Sequence, residues 1–215
     1  MCTADFNLDQ LSLQTISYKV YLNSPMAKIY DHLLNRALAH VTRFNNRPQH
    51  FEESVAEHSF YVAYFALIIC NFLEKKKIQI DTKKVLQMAL IHDAEEGFSG
   101  DILTPLKHFN KKVHKAIVDV NKQMIGEAFD GLPSDLQKSL VGFWNEEQAA
   151  VSIGAQIVKV ADKLSLLSKC FEEIQAGNTY FEEIYKWQLS SLKKLDHPWW
   201  KKIRDSILSG AEKQV

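Results

Sequence analysis

The sequence is poor in residues that interrupt regular structure: 8 glycines and 5 prolines among 215 residues, both in short clusters. Long, evenly patterned, turn-poor stretches of this kind predict an all-α fold. Cysteine is scarcer still. Cys2, Cys70 and Cys170 are odd in number, widely spaced and form no C-x-x-C pair, which excludes a disulfide framework and fits a reducing cytoplasm. There is no charge of either sign in excess, with 26 Lys+Arg against 26 Asp+Glu. Proteins that grip a nucleic-acid polymer by neutralising its phosphates are normally basic, so the balance counts against that class. The longest apolar run, Val62 to Phe72, contains Asn71 and falls short of the roughly eighteen residues of a membrane span. The chain begins Met1-Cys2-Thr3-Ala4-Asp5, with an acid where a signal peptide has a basic flank. What is present, 46% apolar and 24% charged residues, is globular composition. A chain of this length buries roughly 70% of its unfolded surface.

The pattern divides into a mixed N-terminal extension, residues 1–24, and one helical domain, residues 25–215. Residues 16–22 alternate weakly and suggest a short extended segment within 15–22. Ser24-Pro25 reads as a cap and first helical position, with a helix to about Val41 and a loop from Phe44 to Phe51. Ser54 and Glu57 form a capping box for a helix to about Glu74. Asp81 caps a third helix ending near Glu96-Gly97, and Phe98 to Thr104 is a loop. Pro105 starts a helix to about Phe129, with room for a break, before a turn at 130–133. Helices are expected over about 134–144 and 146–175, and two more follow, separated at His197-Pro198.

Four polar residues break the apolar pattern. His58 lies on the stripe Val55, His58, Val62, Phe65, Ile69, Phe72. His92 and Asp93 end a helix that is apolar almost all round, and Asp162 stands four residues from both Val158 and Leu166. A single buried histidine is usually a hydrogen-bonded core residue, and a single buried Asp a cap or ion-pair partner. Four such groups, each costing several kcal/mol to bury alone, are satisfied together by one metal ion. Two imidazoles and two carboxylates suit Mn, Fe, Co, Ni or Zn rather than Ca. Adjacent helical residues point about 100° apart, so His92 and Asp93 can share an ion only beyond the helix end.

The order H…HD…D resembles the HD-domain phosphohydrolase superfamily. Arg43-Phe44 ahead of Val55-Ala56-Glu57-His58-Ser59, His92-Asp93-Ala94-Glu95-Glu96 leading into Gly100-Asp101-Ile102-Leu103-Thr104-Pro105, and Val158-Lys159-Val160-Ala161-Asp162 followed by Lys169 to Glu173 and Ala176-Gly177-Asn178 resemble the YfbR-like 5′-deoxynucleotidases. The likeness covers residues 27–178. It implies a single HD-domain helical bundle, usually a homodimer, with one divalent metal per chain. It also implies release of the 5′-phosphate of deoxynucleoside monophosphates by water activated at that metal. By position, His58, His92, Asp93 and Asp162 would be ligands, Arg43 would bind phosphate, and Glu96 and Asp101 would be the catalytic carboxylates. Glu147, or its neighbour Glu146, falls where the family has an acid near the sugar 3′-hydroxyl.

Lys107 is a further cation after the Thr104-Pro105 turn, or a solvated lysine. Phe44 replaces the family's Trp and would crowd the sugar 2′ position, or simply pack the end of the first helix. Trp199, Trp200 and Ile203 are expected either to offer apolar surface for a dimer or to close the core. A dNTP triphosphohydrolase, another small phosphoester hydrolase and a non-catalytic HD nucleotide-binding protein are the alternatives. No nucleic-acid polymer and no membrane is expected among the partners.

Overall fold

The computed structural model describes residues 28–213, and every regular element among them is helical. The expected extended segment at 15–22 and the Ser24-Pro25 helix start lie outside the described residues. Helix α1 (Lys28–Leu34) stops well short of Val41. Asn35 interrupts it, because its Oδ1 accepts a hydrogen bond from Ala37 N at 2.9 Å and competes with the helical ladder. A 3-10 turn (Ala37–His40) follows, and Thr42 then pairs with Ser54 in an isolated antiparallel bridge. The bridge closes a loop with Arg43 near one end and Glu53 near the other.

Helix α2 (Val55–Lys75) starts at the expected capping box: Ser54 Oγ accepts from Glu57 N at 3.2 Å and the Glu57 carboxylate accepts from Ser54 N at 2.7 Å. Its buried stripe includes Val55, His58, Val62, Ala66, Ile69 and Leu73. By length and composition α2 would also suit a membrane span, although no uninterrupted apolar run in it reaches eighteen residues. Here its stripe packs against other helices.

Helix α3 (Thr82–Ile91) is capped by Asp81, whose Oδ1 accepts from Lys84 N at 3.0 Å. It buries Val85, Met88 and Ala89, but Leu90 is 55% exposed, so its apolar sequence does not make it wholly interior. The helix ends at Ile91, before His92, and not near Gly97. Residues 92–95 form a turn, followed by α4 (Glu96–Ser99), α5 (Thr104–Lys107) and α6 (Lys111–Ala128). Asn110 makes the break between α5 and α6, its Oδ1 accepting from Lys112 N and Val113 N at 2.9 Å. Helix α7 (Ser134–Ala149) runs past the expected end at 144. Helix α8 (Ile153–Gln175) starts later than expected, because Ala150 turns left-handed (φ 52°) and Ser152 caps from outside. A 3-10 turn (Thr179–Phe181), helices α9 (Glu182–Lys194), α10 (Pro198–Lys201) and α11 (Arg204–Ile207), and a last 3-10 turn (Ala211–Lys213) follow among the described residues.

Helix α8 is the hub and packs against α2, α3, α7 and α9. Trp199, Trp200 and Ile203 close the core at 4%, 0% and 1% exposure and offer no spare surface. Trp200 Nε1 donates to Leu192 O at 2.8 Å and Trp199 Nε1 to Gln156 Oε1 at 2.9 Å, so both indoles are satisfied inside. Burial pushes the Cys70 and Cys170 thiols up to about 11 and about 12, which makes them inert packing groups.

Candidate active site

His58 projects from the first turns of α2, His92 and Asp93 from the turn after α3, and Asp162 from the middle of α8. The packing of those three helices brings the four groups together. His58 Nε2 lies 3.3 Å from His92 Nε2, 3.6 Å from Asp93 Oδ2 and 3.2 Å from Asp162 Oδ1. His92 Nε2 lies 3.1 Å from Asp93 Oδ2. Ligand atoms of His58, His92 and Asp93 all fall within 4.8 Å of one another, and Asp162 joins them through His58. Because α3 ends at Ile91, the pair lies beyond the helix end, and there His92 Nε2 and Asp93 Oδ2 reach one point.

The histidines are buried, at 0% and 3%, whereas the side chains of Asp93 and Asp162 keep 23% and 39% exposure. The cluster is therefore closed on the imidazole side and open on the carboxylate side, contrary to the expectation of four buried groups. His92 Nδ1 donates to Ala89 O at 2.9 Å, which leaves Nε2 free to act as a ligand. Ser165, one turn after Asp162, places its Oγ 3.0 Å from His58 Nδ1. Burial disfavours a charged His92, but the adjacent Asp93 outweighs it and raises the imidazole to about 9. Asp93 and Asp162 are held far below the usual carboxylate range by these histidines, against the opposing effect of burial. An N₂O₂ donor set with inward-facing nitrogens and ionised carboxylates fits a divalent transition-metal ion.

Three cation–carboxylate pairs surround the cluster. Arg43 Nη1 donates to Glu53 Oε2 at 2.5 Å and lies 2.8 Å from His58 Nδ1. Lys107 Nζ donates to Glu96 Oε1 at 3.1 Å. Lys159 Nζ lies 2.7 Å from Glu147 Oε1. Burial, reinforced by the charge of Asp93, raises Glu96 to about 8 despite Lys107, well above the usual carboxylate range. The charge of Asp101 acts on Arg43, Glu96 and Lys107. Lys107 is thus a partner of Glu96 and not a solvated lysine. Glu147 is wholly buried beneath Lys159, and its charge reaches His92. Glu146 instead pairs with Lys84 at 2.6 Å and accepts from Ser152 Oγ at 2.8 Å, away from the cluster. Phe44 adopts φ 53°, sits under the Arg43 guanidinium at 5.1 Å and meets Phe181 edge-on at 5.5 Å.

Comparison with known proteins agrees with this geometry. The family model described as 5′-deoxynucleotidase YfbR-like matches residues 30–210. The chain belongs to the YfbR-like 5′-deoxynucleotidase family. The 5′-deoxynucleotidase VV1113 of Vibrio vulnificus is 33% identical over 131 residues, which cover 60% of this chain and 66% of that one. The chain thus spans just under two thirds of that curated relative. Among solved structures, an HD-domain phosphohydrolase from Listeria innocua is 26% identical, with TM-score 0.70 over 87% of this chain and 92% of that one. The PH0347 protein of Pyrococcus horikoshii OT3 is 29% identical, with TM-score 0.69 over 88% and 99%. These likenesses establish the all-α HD fold.

Sequence reasoning gave no role to Glu53, Ser165 or Lys159. Spacing carried a signal for two of them: Lys159 and Ser165 lie one turn before and after Asp162, on its face of α8. Glu53 carried none, because its link to Arg43 runs across a loop.

His58→Ala and Asp162→Ala are each expected to reduce bound Mn²⁺ or Co²⁺ from near one ion per chain to near none, read by elemental analysis after dialysis. The same variants should lose the rise in melting temperature that the ion gives the parent protein, since it binds only the folded state. A full complement of metal in either variant would remove that side chain from the ligand set.

Proposed function

We propose that this chain is a metal-dependent phosphohydrolase that removes the 5′-phosphate of deoxynucleoside monophosphates, through one HD domain over residues 25–215. The observation that carries the reading is the His58–His92–Asp93–Asp162 cluster with Arg43 at 2.8 Å from His58. The family assignment and the name of the Vibrio relative support it.

His58, His92, Asp93 and Asp162 would hold one divalent ion, which when bound supplies Lewis acidity next to the phosphate. Arg43 binds the phosphate through its fork of N–H donors, a bidentate fit that lysine lacks. Asp101 orients the attacking water and accepts its proton. Glu96, kept neutral by burial and by Asp93, donates a proton to the leaving 5′-oxygen. Lys107 fixes the Glu96 carboxyl through one oxygen and leaves the other for the substrate. Glu147, paired with Lys159, sets the field on the sugar side. A tripolyphosphate needs several cations around its pocket, and Lys107 and Lys159 add two beside Arg43, so triphosphates belong in the first substrate panel. Release of tripolyphosphate instead of phosphate would replace the monophosphatase reading. The separate, reduced thiols of Cys70 and Cys170 support a cytoplasmic setting.

Glu96→Gln and Asp101→Asn should keep stoichiometric metal while kcat falls roughly 10²–10⁴-fold, the range for acid–base groups. Loss of metal from either variant would make that residue a ligand and refute its role in chemistry.

Phe44 is the element of sugar choice in this reading. Apolar crowding rejects an added hydroxyl by only about 10². Wild-type selectivity for dAMP over AMP in kcat/KM should lie at or below that level, fall in Phe44→Ala and rise in Phe44→Trp. Selectivity unchanged in both variants would reduce Phe44 to a packing partner of Phe181.

A homodimer is part of the same proposal, and the exposed aromatic face of α2 is the surface for it. Phe60, Tyr61 and Tyr64 are 62%, 46% and 50% exposed, and Phe60 and Tyr64 stack in parallel. Aromatic residues are enriched in subunit contacts, and patches of this kind mark interaction sites. Light scattering at micromolar concentration should give twice the chain mass, and Phe60→Glu should halve it. A monomeric parent protein would end this part of the reading.

A further inference from the structure

Beneath the Arg43 loop lies a buried polar cluster that the chemistry above does not use. Glu173, near the end of α8, is 0% exposed and accepts four hydrogen bonds. They come from His50 N at 2.9 Å, Phe51 N at 3.0 Å, Lys169 Nζ at 2.9 Å and Asn178 Nδ2 at 2.7 Å. Lys169 is itself buried and also donates to Phe51 O, and Asn178 Nδ2 donates to Pro48 O at 2.9 Å. Both backbone groups of Phe51 and the carbonyl of Pro48 are thus tied to α8 and the turn after it. Burial alone would raise the Glu173 carboxyl, but these donors hold it down at about 2.

The pinned stretch, residues 48–53, is the frame on which Arg43 rests. Gln49 Nε2 donates to Arg43 O at 2.8 Å, Arg43 N donates to Glu53 O at 2.9 Å, and the guanidinium reaches Glu53 Oε2. Asn45, Asn46, Arg47, Pro48, His50 and Phe51 are all exposed, so the loop has little apolar burial of its own to order it. The side chains that anchor it from below are Glu173, Lys169 and Asn178.

We infer that Glu173 is the positioning residue for phosphate recognition: through residues 48–53 it fixes the main chain and guanidinium of Arg43 beside the His58 cluster. The inference rests on the reading of Arg43 as the phosphate-binding group. A bidentate clamp binds fully only when both its donors are held in register, so loosening the loop weakens phosphate binding. Hydrogen bonds to a buried carboxylate are among the strong ones, so their loss is felt in the loop.

The test compares Glu173→Gln, and Gln49→Ala as a milder cut in the same chain of contacts, with the parent protein, each also in an Arg43→Ala background. Metal content, kcat and KM for dAMP, and binding of inorganic phosphate by calorimetry are measured. Glu173→Gln should raise KM and the phosphate dissociation constant together by roughly tenfold, with kcat within about twofold and metal unchanged. Gln49→Ala should move the same two quantities in the same direction by less. In the Arg43→Ala background both substitutions should have no further effect, since the group they aim is gone. Should Glu173→Gln fail to fold, Gln49→Ala and its double variant still decide the question. A phosphate affinity unchanged in Gln49→Ala, or an effect of either substitution that persists in full without Arg43, would overturn the inference. A parent protein that binds inorganic phosphate through Arg43 but hydrolyses no nucleotide would refute the proposed activity and leave the positioning role standing.

Discussion

Two buried imidazoles face each other with their Nε2 atoms 3.3 Å apart, and the rest of the structure follows from that contact. Two lone pairs repel at that distance, unless one Nε2 carries a hydrogen and donates it to the other or a cation stands between them. A cation there must be compensated, because a bare buried charge costs several kcal/mol. Asp93 and Asp162 supply the compensation, each within 3.2 Å of one imidazole. Both carboxylates are held well below the usual range beside the imidazoles, so the cluster carries the negative charge that a divalent ion would need. The packing of α2 and α3 on α8 is what makes the contact unavoidable, since each helix contributes from a fixed point on a close-packed core.

Electrostatics spreads outward from the cluster in pairs. Arg43, Lys107 and Lys159 come from a loop, a short helix and the long central helix, and each is matched by a glutamate: Glu53, Glu96 or Glu147. Glu53 and Glu147 limit the mutual repulsion of Arg43 and Lys159, while Lys107 holds Glu96 in place by a hydrogen bond. The Glu53 pair also keeps the Arg43 guanidinium ordered, which is the general benefit of preorganisation.

What the sequence disclosed was whatever depends on local pattern. The stripe through His58 followed from helical periodicity, and the capping box at Ser54 from two residues at a fixed spacing. The end of α3 was hidden because His92-Asp93-Ala94-Glu95-Glu96 contains no breaker, and the first glycine comes only at position 97. Tertiary contacts override propensity there: Trp144 Nε1 donates to Glu95 Oε2 at 2.7 Å and draws the chain into a turn. The same holds at Ala149-Ala150-Val151, where nothing but the capping serine at 152 marks the kink. Trp199 and Trp200 could not be assigned to core or surface, because a tryptophan suits both and only the partners Gln156 and Leu192 decide.

The choice between Glu146 and Glu147 shows how far one residue of register matters. Neighbours on α7 point about 100° apart, so one carboxylate meets Lys84 near solvent and the other is driven into the core. Of the two, Glu147 lies within electrostatic reach of the cluster, where its charge acts on His92. Its exposure is zero, whereas the Lys159 side chain above it keeps 37%. A direct hydrogen bond from a sugar hydroxyl to Glu147 therefore requires Lys159 to give way. An electrostatic role, with Lys159 as the group that meets the substrate and Glu147 as the charge that holds it there, requires no rearrangement at all.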